Sequence, residues 1–253
     1  MKTPTHCYHR PAALTDAAMH YCAGCGHSIV HKLLAEVLDE LDIRERTIGV
    51  APVGCAVFAY YYLKCDISEA AHGRTPAVAT GIKRALPDRI VFSYQGDGDL
   101  AAIGMTETIH TANRGEPITV VFINNTVYGM TGGQMAPTTL VGQQTATSPA
   151  GRHAATMGCP IRMCELLNTL DQPYYIERVA LDSYAGVLAA KKALLTAFQS
   201  QVAGKGYSFV EVLSPCPTYL RLSPQKSMEF VGREIAAQFP ARIFRKEGVP
   251  VNA

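Results

Sequence analysis

Ile29, Val30, Leu33, Leu34, Val37, Leu38 and Leu41 recur at three- and four-residue steps with charged positions between them. That is the period of a helix burying one stripe, and it predicts a helix from His27 to Leu41. Elsewhere the apolar residues run together. Ile90-Val91-Phe92, closed by Tyr94, and Ile118-Thr119-Val120-Val121-Phe122-Ile123 have the length and composition of strands buried on both faces. The same reading predicts strands over Thr47–Val53, 173–179 and 207–213. It predicts helices over Pro76–Leu86, with proline in the first turn, and over 100–113, 161–170, 184–201 and 226–238. Residues 129–160 hold many Gly, Thr, Pro and Gln and little periodicity. An irregular stretch of that length is usually a functional loop.

Strands alternating with helices, several of them continuously apolar, imply a mostly parallel sheet covered on both faces. The expected fold is therefore α/β and doubly wound. We read residues 1–253 as one domain, with an N-terminal cysteine loop and an extended, polar, proline-containing C-terminal tail from about residue 214.

Composition narrows the class. The chain has 253 residues, 48% hydrophobic and 17% charged, as a globular protein does. A formal net charge of +2 gives no reason to expect nucleic acid or an anionic membrane surface as partner. No apolar run approaches the roughly 18 residues of a membrane-spanning helix. Met1 to Ala13 lacks the apolar core of a signal peptide, so a cytoplasmic location is expected. In that setting eight cysteines read as metal ligands or reduced thiols.

The candidate chemistry sits at strand ends. Gly96-Asp97-Gly98-Asp99 follows the 90–94 run and Asn124-Asn125 follows the 118–123 run. Ligands of open α/β sheets bind beyond the carboxyl ends of strands. Carboxylate, amide and carbonyl oxygens suit Mg²⁺, which keeps positions open for phosphate oxygens. A second constellation is Cys22-Ala23-Gly24-Cys25-Gly26, a Cys-x-x-Cys in a Gly-rich turn. Cys55, at a strand end, and Cys216, between Pro215 and Pro217, stand in contexts that suit further ligands. Spacing leaves three readings open: a structural zinc site, a thioredoxin-like pair, and a 4Fe–4S cluster. Cys7, Cys65, Cys159 and Cys164 read as small buried or tail residues. His6, His9, His20, His31, His110 and His153 read as structural or surface histidines.

The Gly-Asp-Gly and Asn-Asn elements, with residues 99–123 between them, resemble the diphosphate-binding motif of thiamine diphosphate enzymes. With Tyr21-Cys22-Ala23-Gly24-Cys25-Gly26-His27, Gly54-Cys55, His72-Gly73-Arg74 and Tyr128-Gly129-Met130-Thr131-Gly132-Gly133-Gln134 added, residues 20–220 resemble the β subunit of a 2-oxoacid:ferredoxin oxidoreductase. Within that family the resemblance is to the branched-chain 2-oxoacid and 2-oxoglutarate type. It implies Mg²⁺ on Asp97, Asn125 and the Val127 carbonyl, and a 4Fe–4S cluster on Cys22, Cys25, Cys55 and Cys216. It further implies that Gly54, Cys55, His72, Gly73, Gly98, Asp99, Gly129 and Met130 border thiamine diphosphate. The implied reaction is oxidative decarboxylation of a 2-oxoacid to acyl-CoA and CO₂. Electrons would pass through the cluster to ferredoxin or another acceptor.

The glutamate that activates the cofactor's aminopyrimidine lies, in such enzymes, on a separate pyrimidine-binding domain. A chain of this length has no room for that domain. The resemblance therefore implies an α subunit that carries it, with γ and ferredoxin-like δ subunits beside it, and an inactive isolated chain. After Cys55 come Ala56, Val57, Phe58, Ala59, Tyr60, Tyr61 and Tyr62, with no basic residue before Lys64. If this stretch borders the pocket, it favours a branched-chain or aromatic substrate over 2-oxoglutarate; Arg152 could supply a charge instead. Two rival readings are a non-oxidative thiamine diphosphate decarboxylase or carboligase, with zinc or free thiols, and a scaffold subunit without cofactor.

Overall fold

The computed structural model describes residues 9–251; His6 and Cys7 lie outside the described residues. In chain order the elements are α1 (Gly26–Glu40), β1 (Thr47–Ala51), β2 (Asp66–Glu69), α2 (Thr75–Ala85), β3 (Ile90–Gly96), α3 (Met105–Asn113), β4 (Thr119–Asn124), β5 (Val127–Tyr128) and β6 (Gln134–Met135). There follow α4 (Ala154–Met157), α5 (Met163–Leu167), β7 (Tyr175–Ala180), α6 (Tyr184–Val202), β8 (Ser208–Leu213), α7 (Pro217–Leu220), α8 (Pro224–Phe230), α9 (Ala236–Gln238), β9 (Arg242–Lys246) and β10 (Val249–Pro250).

Eight strands form one sheet in the order β10-β9-β7-β8-β4-β3-β1-β2. From β7 to β2 every neighbouring pair is parallel. The continuous apolar runs fall at its centre, where β3, β4 and β8 are buried on both faces. Alternate residues of one strand point to opposite faces. Phe92, Tyr94, Val121 and Ile123 meet α1 and α6 through Leu34, Leu38 and Phe198 on one side. Val91, Val120 and Phe122 meet Ala79, Ala112 and Met163 on the other.

Three expectations need correction. The tail contains a helical run through Pro224–Gln238 and then the antiparallel strands β9 and β10, not an extended segment alone. The expected helix 100–113 is broken: a π-helical turn over Asp99–Ile103 comes before α3. The expected helix 161–170 shrinks to α5. The 129–160 segment is mostly irregular, as expected, apart from β6 and the single turn of α4. Among the described residues no helix is long and apolar enough to cross a membrane.

Candidate functional site

Parallel strands deliver their carboxyl ends to one edge of the sheet, and nearly every residue singled out from the sequence hangs from that edge. Cys55 follows β1, His72 follows β2, Asp97 follows β3, Asn125 follows β4 and Cys216 follows β8. The register sets the spacing. Gly96 pairs with Ile123, and Asn124 pairs with Leu213, so the three chains turn off the sheet side by side. The N-terminus of α1 is pressed onto the same edge, where a Cβ on Gly26 would collide with Ser214 and Leu181. Only glycine allows that approach, and it carries Cys25 into the site.

Asp97 is 2% exposed. Thr138 Oγ1 donates to its Oδ2 at 2.7 Å, and the Gly98 amide to its Oδ1 at 2.9 Å. Burial pushes its pKa up to about 7, against the pull of Thr138 and the amides of Gly98, Thr126 and Val127. Its hydrogen-bond partners are all uncharged. The Asn124–Val127 turn faces it. Thr126 stands there at φ 64°, unusual for a β-branched residue. Thr139 Oγ1 donates to the Thr126 carbonyl at 2.6 Å, and Gln143 Nε2 donates to Thr126 Oγ1 at 2.9 Å. A buried carboxylate without a basic partner, beside an amide and a carbonyl, matches the oxygen set of a divalent cation.

Asp99 has a different job in the structure. Its Oδ1 lies 2.6 Å from His72 Nδ1 and accepts from the Gly73 amide at 2.9 Å and the Val53 amide at 3.3 Å. Gln95 Nε2 donates to Oδ2 at 2.7 Å. One buried carboxylate thus ties the loops after β1 and β2 to the end of β3 and fixes the His72 ring. Gly54, Cys55, His72, Asp97, Gly98, Asp99, Asn125, Val127, Gly129 and Met130 all line one cavity of about 120 Å³. Gly73 does not line it. Gly54, at φ 114°, and Gly96 have open space where a Cβ would project, so the backbone itself forms the floor. A larger cleft of about 700 Å³ lies alongside and shares only Val127 with this cavity. We place the chemistry in the smaller one, because the carboxylate, amide and imidazole converge there.

Cys25 and Cys216 are buried, Cys55 is half-buried and Cys22 is exposed; none forms a disulfide. A Cβ added to Gly129 would lie 3.1 Å from Cys55 Sγ and 3.7 Å from Cys216 Sγ. Two sulfurs therefore flank a residue that also lines the cavity. Burial pushes the Cys25 and Cys216 thiols up to about 12, and the charges of neighbouring cysteines add to the effect. Cys55 is raised by burial and then by the charges of Asp97 and Cys22. Such thiols ionise only when a cationic centre takes up their charge. Among the described residues no three His, Cys, Asp or Glu side chains are grouped to hold a single metal ion. The thiols are spread over the start of α1 and the ends of β1 and β8, a distribution that suits a polynuclear centre better than one zinc ion. Cys164 is fully buried elsewhere, Cys65 is half-buried and Cys159 exposed.

Sequence reasoning missed the layer behind the cysteines. His27 Nδ1 lies 2.8 Å from Tyr94 Oη, His31 Nε2 2.6 Å from Tyr21 Oη, and His20 Nδ1 2.6 Å from Tyr62 Oη. His20 Nε2 is 3.1 Å from the Cys55 carbonyl. His27 lines the cavity. These rings come from distant positions in the chain, and no local pattern marks them.

Arg152 is a correction. It is 5% exposed, and its guanidinium donates to the carbonyls of Ala136, Pro137, Thr139, Met157, Gly158 and Cys159. It holds the 129–160 loop together and has no donor left for a substrate. Val57–Tyr61 forms a 3₁₀ turn, with Tyr60 and Tyr61 exposed.

Residues 53–212 match the family model described as thiamine pyrophosphate enzyme, C-terminal TPP binding domain. Ketoisovalerate oxidoreductase subunit VorA of Methanothermobacter thermautotrophicus is 55% identical over 238 residues, 94% of this chain and 50% of that protein. 2-Oxoglutarate synthase subunit KorB of Methanocaldococcus jannaschii is 40% identical over 200 residues, 79% of this chain and 70% of that protein. The chain belongs to the thiamine diphosphate-binding subunits of the 2-oxoacid oxidoreductases. It spans about half the length of the VorA proteins it matches. The fold of the family extends to a solved structure, 2-oxoglutarate:ferredoxin oxidoreductase from Magnetococcus marinus with 2-oxoglutarate, coenzyme A and succinyl-CoA bound. The TM-score is 0.76 at 23% identity, over 94% of this chain and 85% of that one.

Proposed function

We propose that this chain binds thiamine diphosphate, Mg²⁺ and a 4Fe–4S cluster, and catalyses oxidative decarboxylation of a 2-oxoacid to acyl-CoA within a multi-subunit, cytoplasmic complex. The observation that carries the reading is Gly129: one backbone residue lines the cavity and is flanked by Cys55 Sγ and Cys216 Sγ. A cluster held there would adjoin the cofactor.

Asp97, Asn125 and the Val127 carbonyl would hold Mg²⁺ against the diphosphate. Cys22, Cys25, Cys55 and Cys216 would hold the cluster. When bound, thiamine diphosphate supplies the electron sink for decarboxylation and the cluster accepts the electrons released. This chain's own residues do the positioning. Asp99 keeps Nδ1 of His72 engaged, so that Nε2 is the nitrogen free to meet a phosphate oxygen. Gly54, Gly73, Gly98 and Met130 would shape the remaining wall. Ferredoxin would take the electrons onward.

For the substrate we favour a branched-chain or aromatic 2-oxoacid. No Lys or Arg lines the cavity, and Arg152 is spent on carbonyls. Ketoisovalerate, named for the relative at 55% identity, fits that apolar requirement.

Iron and acid-labile sulfide, measured anaerobically on the chain copurified with its partners, test the reading. Four of each per chain, lost in Cys216→Ala, are expected. Zinc, or no metal, would sink the oxidoreductase mechanism and leave the non-oxidative decarboxylase reading standing.

A further inference from the structure

Beneath the metal-facing turn lies a charged chain of contacts that the proposed chemistry does not use. Asn124 Nδ2 donates to Glu211 Oε1 at 2.8 Å, and Arg178 Nε donates to Glu211 Oε2 at 2.8 Å. Arg178 Nη1 donates to Glu165 Oε1 at 3.0 Å and Nη2 to Oε2 at 2.5 Å. Its guanidinium carbon sits 5.4 Å from the Phe239 ring centroid and 4.9 Å from that of Phe244. Arg178, Glu211 and Asn124 have essentially no solvent exposure. Such a buried ion pair is weak evidence for stability, because desolvation offsets most of its attraction. An apolar pair of like volume would serve the sheet as well, so its presence asks for another reason.

Asn124 supplies one. Its Nδ2 is held by Glu211, and its Oδ1 accepts from the Thr126 amide at 3.3 Å. That second bond closes the turn in which Thr126 stands at φ 64°. The left-handed conformation costs roughly 1–2 kcal/mol for a residue with a Cβ, so it has to be held from outside. Turning the Asn124 amide over would set its NH₂ against the Thr126 amide and its oxygen against Glu211. The carboxylate therefore selects the one amide orientation that supports the turn.

We propose that Glu211, oriented by Arg178, is a positioning residue for cation binding: through Asn124 it holds the Thr126 turn that presents Asn125 and the Val127 carbonyl. The inference rests on the cation site proposed above. What matters to the turn is an acceptor at Glu211, not its charge.

The test measures Mn²⁺ affinity by electron paramagnetic resonance on the metal-stripped complex with thiamine diphosphate present. Two double variants separate structure from positioning. Arg178→Met/Glu211→Leu makes the pair apolar and leaves Asn124 Nδ2 without an acceptor. Arg178→Met/Glu211→Gln removes both charges but keeps a carbonyl for Asn124. We expect Mn²⁺ affinity to fall about tenfold or more in the first, by comparison with losses at residues that orient metal ligands. The second should bind within about threefold of wild type, a factor close to measurement scatter for such contacts. Asn124→Ala removes the amide itself and should match the apolar pair, which keeps the comparison alive if that pair fails to fold. Asp97→Ala is the control for the site. If it abolishes Mn²⁺ binding while the apolar pair and Asn124→Ala bind like wild type, the positioning role is overturned and the cation site stands. Equal weakening in both double variants also overturns it, since charge would then be the cause. If Asp97→Ala binds Mn²⁺ normally, the cation site falls, and the positioning role with it.

Discussion

His31 is fully buried, with Nε2 against Tyr21 and no hydrogen-bond partner for Nδ1. Burial, and then the charges of His27 and His20, lower its pKa to about 3. In the unfolded chain the ring titrates near 6.5, so between about 6.5 and 3 the unfolded state binds the extra proton. Its contribution to stability is complete above pH 6.5 and is lost as the pH falls through that window. The loss amounts to as much as about 1.4 kcal/mol per pH unit. His31→Gln should flatten the dependence of the urea midpoint on pH between 7 and 5 by up to one proton. Identical slopes in the two proteins would show that His31 does not titrate on unfolding. At this scale legibility was uneven. Asp97, Asn125 and the four cysteines were visible because glycine, asparagine and proline punctuate the chain around them. Thr138 on Asp97, Glu211 under Asn124 and the Arg152 hub were not, because each acts on a partner brought near only by the fold.

Elements were readable where the sheet buries both faces. The runs that became β3, β4 and β8 leave no other interpretation, and the stripe on α1 is equally plain. β2, Asp-Ile-Ser-Glu, and β9, Arg-Ile-Phe-Arg-Lys, escaped notice because an edge strand needs few apolar residues. What makes β9 a strand is its antiparallel pairing with β7 and the anchoring of Arg245 on Asn168, Asp171 and Gly248. α6 shows local chemistry working as expected: Ser183 caps it by accepting from the Gly186 amide at 3.1 Å. Ser183→Ala should cost about 1 kcal/mol, or roughly 2–4 °C in Tm for a chain of this size. Thiamine diphosphate affinity should stay unchanged, since the cap lies off the residues lining the cavity. A calorimetric scan beside a cofactor titration checks both, and a loss of affinity would mean that α6 reports to the site.

At the scale of the molecule, the cavity is the informative quantity. Sites that enclose small organic ligands commonly measure about 300–1,000 Å³, and this one holds about 120 Å³. Tyr60, Tyr61, Ile103 and Met130 are exposed, and Tyr60, Tyr61 and Met130 belong to loops at the strand-end edge. Both facts agree with a wall completed by another chain. The isolated chain should therefore retain iron yet show no 2-oxoacid decarboxylation, with activity returning on addition of the α subunit. Turnover by the chain alone, at the rate of the complex, would refute that division of labour.

Both lateral margins of the sheet are blunt. β2 is four residues long, with an acid at each end, and β10 is two residues closed by Pro250, which has no N–H to offer. Neither margin can template a strand from another molecule. Growth of the sheet into ribbons is blocked at both sides, even at the protein concentrations a large assembly requires. Such an assembly can then be crowded without risk of end-to-end polymerisation, and the loop face is left as the surface on which subunits meet.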